Sequence, residues 1–323
     1  EEAGRDPAAV RALVALAEAL GAPVAEAWQP YYVNFPRDHP LYAGVVSDGI
    51  AELVGKHDCM LLADAVAPWH PPSSLGVGKK VYAIGEDPLR SNLPYWGFRT
   101  DMAVPGELRT TLEGLVQRIS KKSRQEPILK GVEAAPEAMD NAWIAQALNE
   151  ALSADAIVVN ETITHRLELL RRLTKLQPGG FYEASFGGLG GGISSALGVK
   201  HAQPGRTVVV TIGDGALHYN PVPAAFGASQ ELGLPLLVVL FDNAGYLSQK
   251  TDVMTYYPKG EAVRTGRFAG TGITPRPEYA KLAEAYGGYG EKVARPQDVR
   301  AALQRGLEQM HKGRLALIHM VLA

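Results

Sequence analysis

Thr207-Val208-Val209-Val210-Thr211-Ile212-Gly213-Asp214-Gly215 and, further along, Leu236-Leu237-Val238-Val239-Leu240-Phe241-Asp242-Asn243-Ala244-Gly245-Tyr246 share one design. Each is a nearly continuous apolar run that stops at turn residues carrying a carboxylate or a carboxamide. Short Val/Leu/Ile runs bounded by Gly and Asn predict strands with both faces buried, which is the mark of a parallel sheet covered by helices on both sides. Ligands of such sheets sit outside the carboxyl ends of the strands. Asp214 and Asn243, 29 residues apart, fall at two such ends.

That placement has chemical content. One charged and one neutral oxygen donor, with a backbone carbonyl close by, suit a hard divalent cation such as magnesium. Gly213 and Gly215 let the chain approach an anion closely, and a helix starting there would point its amino end at that anion. Gly-Asp-Gly alone is an ordinary turn, as is Asn-Ala-Gly. Together, each closing an apolar strand, they point to a metal-bound diphosphate.

Working outward, strands are expected at Ala156–Val159 and Leu315–Val321, and helices over about 138–152, near 222–232 and over Glu278–Tyr286, the last ended by Gly287. A glycine-rich stretch occupies 187–192. Toward the amino end, Asp6 and Pro7 open a helix with Val10, Leu13, Val14 and Leu20 on one stripe, and Gly21 closes it. Strands at Cys59–Leu62 and Val81–Ile84 and a helix over Leu108–Ile119 predict a second, smaller parallel sheet. Residues 120–135 are polar and mixed in charge, which reads as a linker or as a solvated loop. The expected fold class is therefore α/β, with two doubly wound parallel-sheet domains spanning 1–125 and 126–323.

Bulk properties narrow the function. The 323 residues are 46% hydrophobic and 20% charged, a globular composition. A net charge of −2 supplies no field for nucleic acid or an anionic membrane. The single cysteine, Cys59, excludes an internal disulfide framework and makes the cytoplasm the default location. Apolar runs such as Leu234–Phe241 are too short to cross a bilayer.

Gly213-Asp214-Gly215, a gap of 26 residues and then Asp242-Asn243 resemble the signature of thiamine diphosphate enzymes of the pyruvate decarboxylase and acetolactate synthase superfamily. That pattern usually ends Asn-Asn, so Asp242 is a departure. Val159-Asn160-Glu161-Thr162 and Gly187-Gly188-Leu189-Gly190 resemble the benzoylformate decarboxylase branch, and Phe35-Pro36-Arg37-Asp38-His39-Pro40 resembles the superfamily's central domain, which does not bind cofactor. The likeness covers nearly the whole chain.

The resemblance implies thiamine diphosphate and Mg2+ as cofactors, with Asp214, Asn243 and the carbonyl of Gly245 as metal ligands. Thr164, Gly213, Gly215 and Tyr246 would line the diphosphate. Gly187 would offer its carbonyl to the cofactor's 4′-amino group, and Leu189 would force the cofactor's bent shape. Without the resemblance, Thr164 fits the cap of a helix beginning near His165, and Leu189 fits ordinary core. His70, in Ala67-Pro68-Trp69-His70-Pro71-Pro72, matches the branch's active-site histidine; a loop histidine between prolines is otherwise simply exposed. His218 is a second candidate, or a packing residue beside the cofactor.

The implied activity is decarboxylation of, or carboligation from, a 2-oxo acid. Acetolactate synthase-like and 2-hydroxyacyl-CoA lyase-like chemistry are the alternatives, and a non-catalytic binding or regulatory subunit is the alternative of another class. Leu189 leans away from acetolactate synthase, where methionine usually stands. The segment 251–272, with Lys259, Arg264 and Arg267, reads as a solvated loop or as a lid steering an anionic substrate. The chain opens with Glu1, and nothing in it resembles the pyrimidine-binding domain whose glutamate activates the cofactor. A partner domain or subunit supplying that glutamate is expected, in a dimer or tetramer.

Overall fold

The computed structural model describes residues 1–323 except 28, 46–49, 70–77, 94–96, 121–133, 135, 185–187 and 323. The backbone divides into two compact units, Glu1–Val132 with Thr174–Phe181, and Glu133–Leu173 with Tyr182–Ala323. Most of the polar stretch read as a linker lies outside the described residues.

The first unit begins as its sequence predicts. Helix α1 (Pro7–Leu20) is capped by Asp6, whose carboxylate accepts from Ala8 N at 2.8 Å, and it ends on Gly21 in the left-handed region, φ 61°. Strands β1 (Val24–Glu26) and β2 (Tyr42–Val45) pair in parallel. After α2 (Ile50–Gly55), β3 (Cys59–Ala63), β4 (Lys80–Gly85) and β5 (Met102–Pro105) form a three-stranded parallel sheet in that order, followed by α3 (Leu108–Arg118). Among the described residues the strands thus form two separate small parallel sheets where one was expected. Leu13, Leu16, Phe35, Ile84 and Leu112 make the core under α1 and α3.

The Phe35–Pro40 stretch earns its place in that unit through Arg37. The Glu26 carboxylate, fully buried, accepts from Arg37 Nε at 2.9 Å, Tyr42 Oη at 2.9 Å and Asn34 N at 2.9 Å. A buried carboxylate is tolerated when its lone pairs are met this way.

The second unit is larger and more regular. Its elements are α4 (Asn141–Ala151), β6 (Ile157–Glu161), α5 (Arg166–Arg172), β7 (Phe181–Glu183), α6 (Gly192–Ala202), β8 (Val208–Gly213) and α7 (Asp214–Leu217), then α8 (Val222–Glu231), β9 (Leu237–Asp242), α9 (Leu247–Tyr256) and α10 (Glu261–Thr265). The unit closes with α11 (Ala280–Glu284), β10 (Tyr289–Val293), α12 (Val299–His311) and β11 (Ala316–Val321). The strands form one sheet in the order β10-β11-β9-β8-β6-β7, and β10, β11, β9, β8 and β6 pair in parallel.

Alternate strand residues point to opposite faces. Val208, Val210, Val238, Leu240 and Leu317 meet Ile193 of α6, Phe226 of α8 and Ala283 of α11 on one side. On the other side Gly306 of α12 lies so close that an added Cβ would sit 2.8 Å from Leu237 Cδ1 and 3.1 Å from Ile318 Cδ1. Both faces are therefore covered, which is why the strands read as continuous apolar runs. The strand order reverses beside β6, since the chain steps outward to β7 and then back to β8. A crevice at the carboxyl ends of β6 and β8 follows from that reversal.

Phe226 is fully buried in this core. Phe226→Ala should lower the unfolding free energy by about 3–5 kcal/mol, seen as an earlier urea midpoint by circular dichroism. A loss under about 1 kcal/mol would mean the helix layer over this face is not packed as described.

Candidate active site at the carboxyl edge of the larger sheet

Pairing of β8 with β9, in register Gly213↔Phe241, sets Asp214 beside the 242–246 turn. One backbone group ties the two tips together. Gly245 N–H donates to Asp214 Oδ2 at 2.8 Å and to Asn243 Oδ1 at 3.2 Å, so both side-chain oxygens converge on a single point. Gly245 also forms an antiparallel bridge with Gly272, flanked by the bonds Tyr246 N to Thr271 O and Ile273 N to Ala244 O. In such a pair the N–H and C=O of the bridged residue point away from its partner. The Gly245 carbonyl is thus turned to the same side as its N–H. A Cβ here would lie 2.2 Å from Thr271 O, so only glycine fits.

Asp242, the departure from Asn-Asn, is structural. Its carboxylate is fully buried, accepts from His319 Nε2 at 2.7 Å and Ala244 N at 2.9 Å, and has Arg276 Nε 3.6 Å away. Burial would raise its pKa, but these partners outweigh burial and hold it below the usual aspartate range. Asp214, 1% exposed and facing that charge, is pushed up to about 7, first by burial and then by Asp242. Two buried carboxylates in contact cannot both stay ionised without a counter-charge. In the metal-free protein a proton on Asp214 answers the repulsion, and a divalent cation would answer it better. The donors facing that point are carboxylate, carboxamide and carbonyl oxygens, which fit magnesium. No cluster of three His, Cys, Asp or Glu side chains competes for a metal among the described residues.

Other residues that sequence singled out belong to the same unit. Gly213 ends β8, and Gly215 lies against the Tyr246 ring, where a Cβ would meet Cδ1 at 2.8 Å. Thr164 sits half-buried in the turn after β6, at the same sheet edge. It is not the cap of α5, whose N-cap is His165 with no side-chain capping bond. Leu189 is half-buried against the sheet core, where the core reading also put it. His218 Nε2 shares a hydrogen bond with Tyr279 Oη at 2.8 Å, and the two rings meet edge to face. The helix expected after Gly215 is α7, a single turn starting at Asp214, so it offers free N–H groups more than a macrodipole. His70 and Gly187 lie outside the described residues.

Two further residues were not foreseen. His165, 6% exposed and stacked on Phe241, lies 3.3 Å from Asn243 through its Nε2, and burial lowers its pKa to about 4. Glu161, fully buried, accepts from the main-chain N–H groups of Gly190, Gly191 and Gly192 and from Asn220 Nδ2 at 2.7 Å. The amino end of α6 is therefore already neutralised by an internal carboxylate. His319 was visible in principle, as a lone polar residue inside an apolar strand. The 251–272 segment, read as loop or lid, is half helical: none of the residues of α9 or α10 is buried, and Arg264 pairs with Glu261 at 2.5 Å.

Comparison with known proteins bears on the same region. The family model of the thiamine pyrophosphate enzyme C-terminal TPP-binding domain matches residues 164–320. Benzoylformate decarboxylase of Pseudomonas aeruginosa is 27% identical over 246 residues, which are 72% of this chain and 45% of that protein. The probable 2-ketoarginine decarboxylase of the same organism is 29% identical over 318 residues, 90% of this chain and 52% of that protein. The crystal structure of benzoylformate decarboxylase from Polynucleobacter necessarius superposes with a TM-score of 0.83 at 20% identity, over 98% of this chain and 59% of that one, a likeness of fold. The chain thus spans about half the length of these curated relatives. Residues 164–320 thus resemble the C-terminal TPP-binding domain of thiamine pyrophosphate enzymes.

Proposed function

We propose that this chain supplies the diphosphate- and magnesium-binding half of the site of a decarboxylase or carboligase acting on a 2-oxo acid. The observation that carries the reading is the convergence of Asp214 Oδ2 and Asn243 Oδ1 on one N–H, with the Gly245 carbonyl turned the same way. Relatives named as decarboxylases of 2-oxo acids support the substrate class. In this reading Asp214, Asn243 and the Gly245 carbonyl hold Mg2+, which anchors the diphosphate. Gly213, Gly215, Thr164 and Tyr246 line that diphosphate, Gly187 orients the 4′-amino group, and Leu189 bends the cofactor. Thiamine diphosphate, when bound, supplies the electron sink for loss of carbon dioxide. His70 moves a proton, a task that suits imidazole near neutral pH. The reading assigns the activating glutamate to a pyrimidine-binding domain or subunit outside residues 1–323, within a dimer or tetramer.

The reading rests on three checks. Binding of thiamine diphosphate, followed by tryptophan fluorescence, should require Mg2+ in the wild-type chain, and Asp214→Asn should abolish that requirement's benefit; equal binding with and without the metal would refute the metal site. The pKa of Asp214 gives a second, independent readout. A carboxyl raised from 3.8 to about 7 stabilises the fold fully below pH 4, and that stability is lost as pH rises through 7. Asp214→Asn should therefore stabilise the metal-free protein at pH 8, by on the order of 1–3 kcal/mol, while changing little at pH 4. A variant less stable than wild type at pH 8 would contradict the charge account. Lastly, His70→Ala should slow turnover of the complete enzyme by about 100-fold or more while cofactor stays bound; unchanged turnover would remove His70 from the mechanism.

A further inference from the structure

Asn243 is placed as a metal ligand in the reading above, but a carboxamide is a poor ligand unless its oxygen faces the metal. Its two ends are nearly identical in shape and opposite in chemistry, so its neighbours must choose the orientation. Two neighbours do so here. Gly245 N–H is a donor and can meet only the oxygen, at 3.2 Å. The NH2 end is then left facing His165 Nε2 at 3.3 Å, so that ring nitrogen must be the acceptor and the ring proton lies on Nδ1.

We propose that His165 is the positioning residue that orients Asn243, holding its carboxamide oxygen toward Asp214 and the divalent cation. His165 is well built for the task. It lies at the amino end of α5, is 6% exposed, and its ring stacks on Phe241, with centroids 5.4 Å apart and planes within 22°. Phe241 belongs to β9, two residues before Asn243 itself, so the strand that carries the ligand also braces the residue that orients it. If Nε2 carried a proton instead, it would oppose the Asn243 NH2, and the amide would turn its nitrogen toward the cation. Partners of this kind behind a metal ligand typically set metal affinity by about 10- to 100-fold. Neither composition nor spacing marked His165, because its effect passes entirely through another side chain.

This inference rests on the metal reading, and the test separates the two. The Mg2+ concentration for half-maximal binding of thiamine diphosphate is measured by tryptophan fluorescence on the full chain, for wild type, His165→Phe and His165→Gln, with melting temperatures taken alongside. His165→Phe keeps the stack on Phe241 but has no acceptor, and it should raise the half-maximal Mg2+ by about tenfold or more. His165→Gln offers an amide oxygen near the same place and should restore affinity to within about threefold. Equal Mg2+ affinity in wild type and His165→Phe, both folded, overturns the role of His165 while leaving the metal site standing. Weakened affinity in both variants, in step with lowered melting temperature, also overturns it, because the ring would then be only a packing element. A wild-type chain with no Mg2+ dependence at all overturns the metal reading itself, and His165's role with it.

Discussion

Two carboxylates packed together at the tips of neighbouring strands are the constraint on which the site depends. The register of β8 against β9 brings Asp214 and Asp242 into contact, and burial denies them the solvent that would screen their repulsion. The structure does not relax this by separating them. It commits one partner, Asp242, to His319 and Arg276 as a fixed anion, and leaves the other, Asp214, in search of a counter-charge. A proton serves at low pH, and in the proposed reading a divalent ion takes that place. The departure from the Asn-Asn pattern thereby becomes intelligible. Asp242 brings with it a buried histidine on β11, and the extra negative charge is answered inside the fold.

The glycines of the site follow from the same crowding. Gly245 must let its backbone pass Thr271, Gly215 must admit the Tyr246 ring, and Gly192 lies against Glu161, whose Oε2 would be 2.6 Å from an added Cβ. Glu161 then takes three successive main-chain N–H groups of the glycine stretch. That stretch is positioned by an internal anion. Local close approach, in each case, is what a side chain larger than hydrogen would prevent.

Much of this was legible in the sequence where signals are strong and local. The runs Val208–Ile212 and Leu237–Phe241, the capped helix α1 and the turns carrying Asp214 and Asn243 all announce themselves through period, punctuation and residue chemistry. Short strands such as β1, β5 and β7 did not, because three or four residues carry too little pattern to distinguish them from loop. Helices α9 and α10 bury nothing, so no apolar stripe marks them. The start of α6 was hidden behind glycines that normally end helices, and only the long-range contact with Glu161 explains why a helix begins there. The role of His165 and the partner of His319 were illegible for a related reason: each histidine acts on a residue more than 70 positions away, and no local period records such a pair.

The central claim is that Asp214, Asn243 and the Gly245 carbonyl together hold a divalent ion at the carboxyl edge of the larger sheet. Anomalous scattering from crystals of the full chain grown with Mn2+ and thiamine diphosphate tests it most directly. The account predicts a single strong manganese peak coordinated by Asp214, by Asn243 through its oxygen and by the Gly245 carbonyl, with Asp242 still bound to His319. A peak coordinated by Asp242 in place of Asp214, or no peak at this edge in crystals that hold the cofactor, would contradict it.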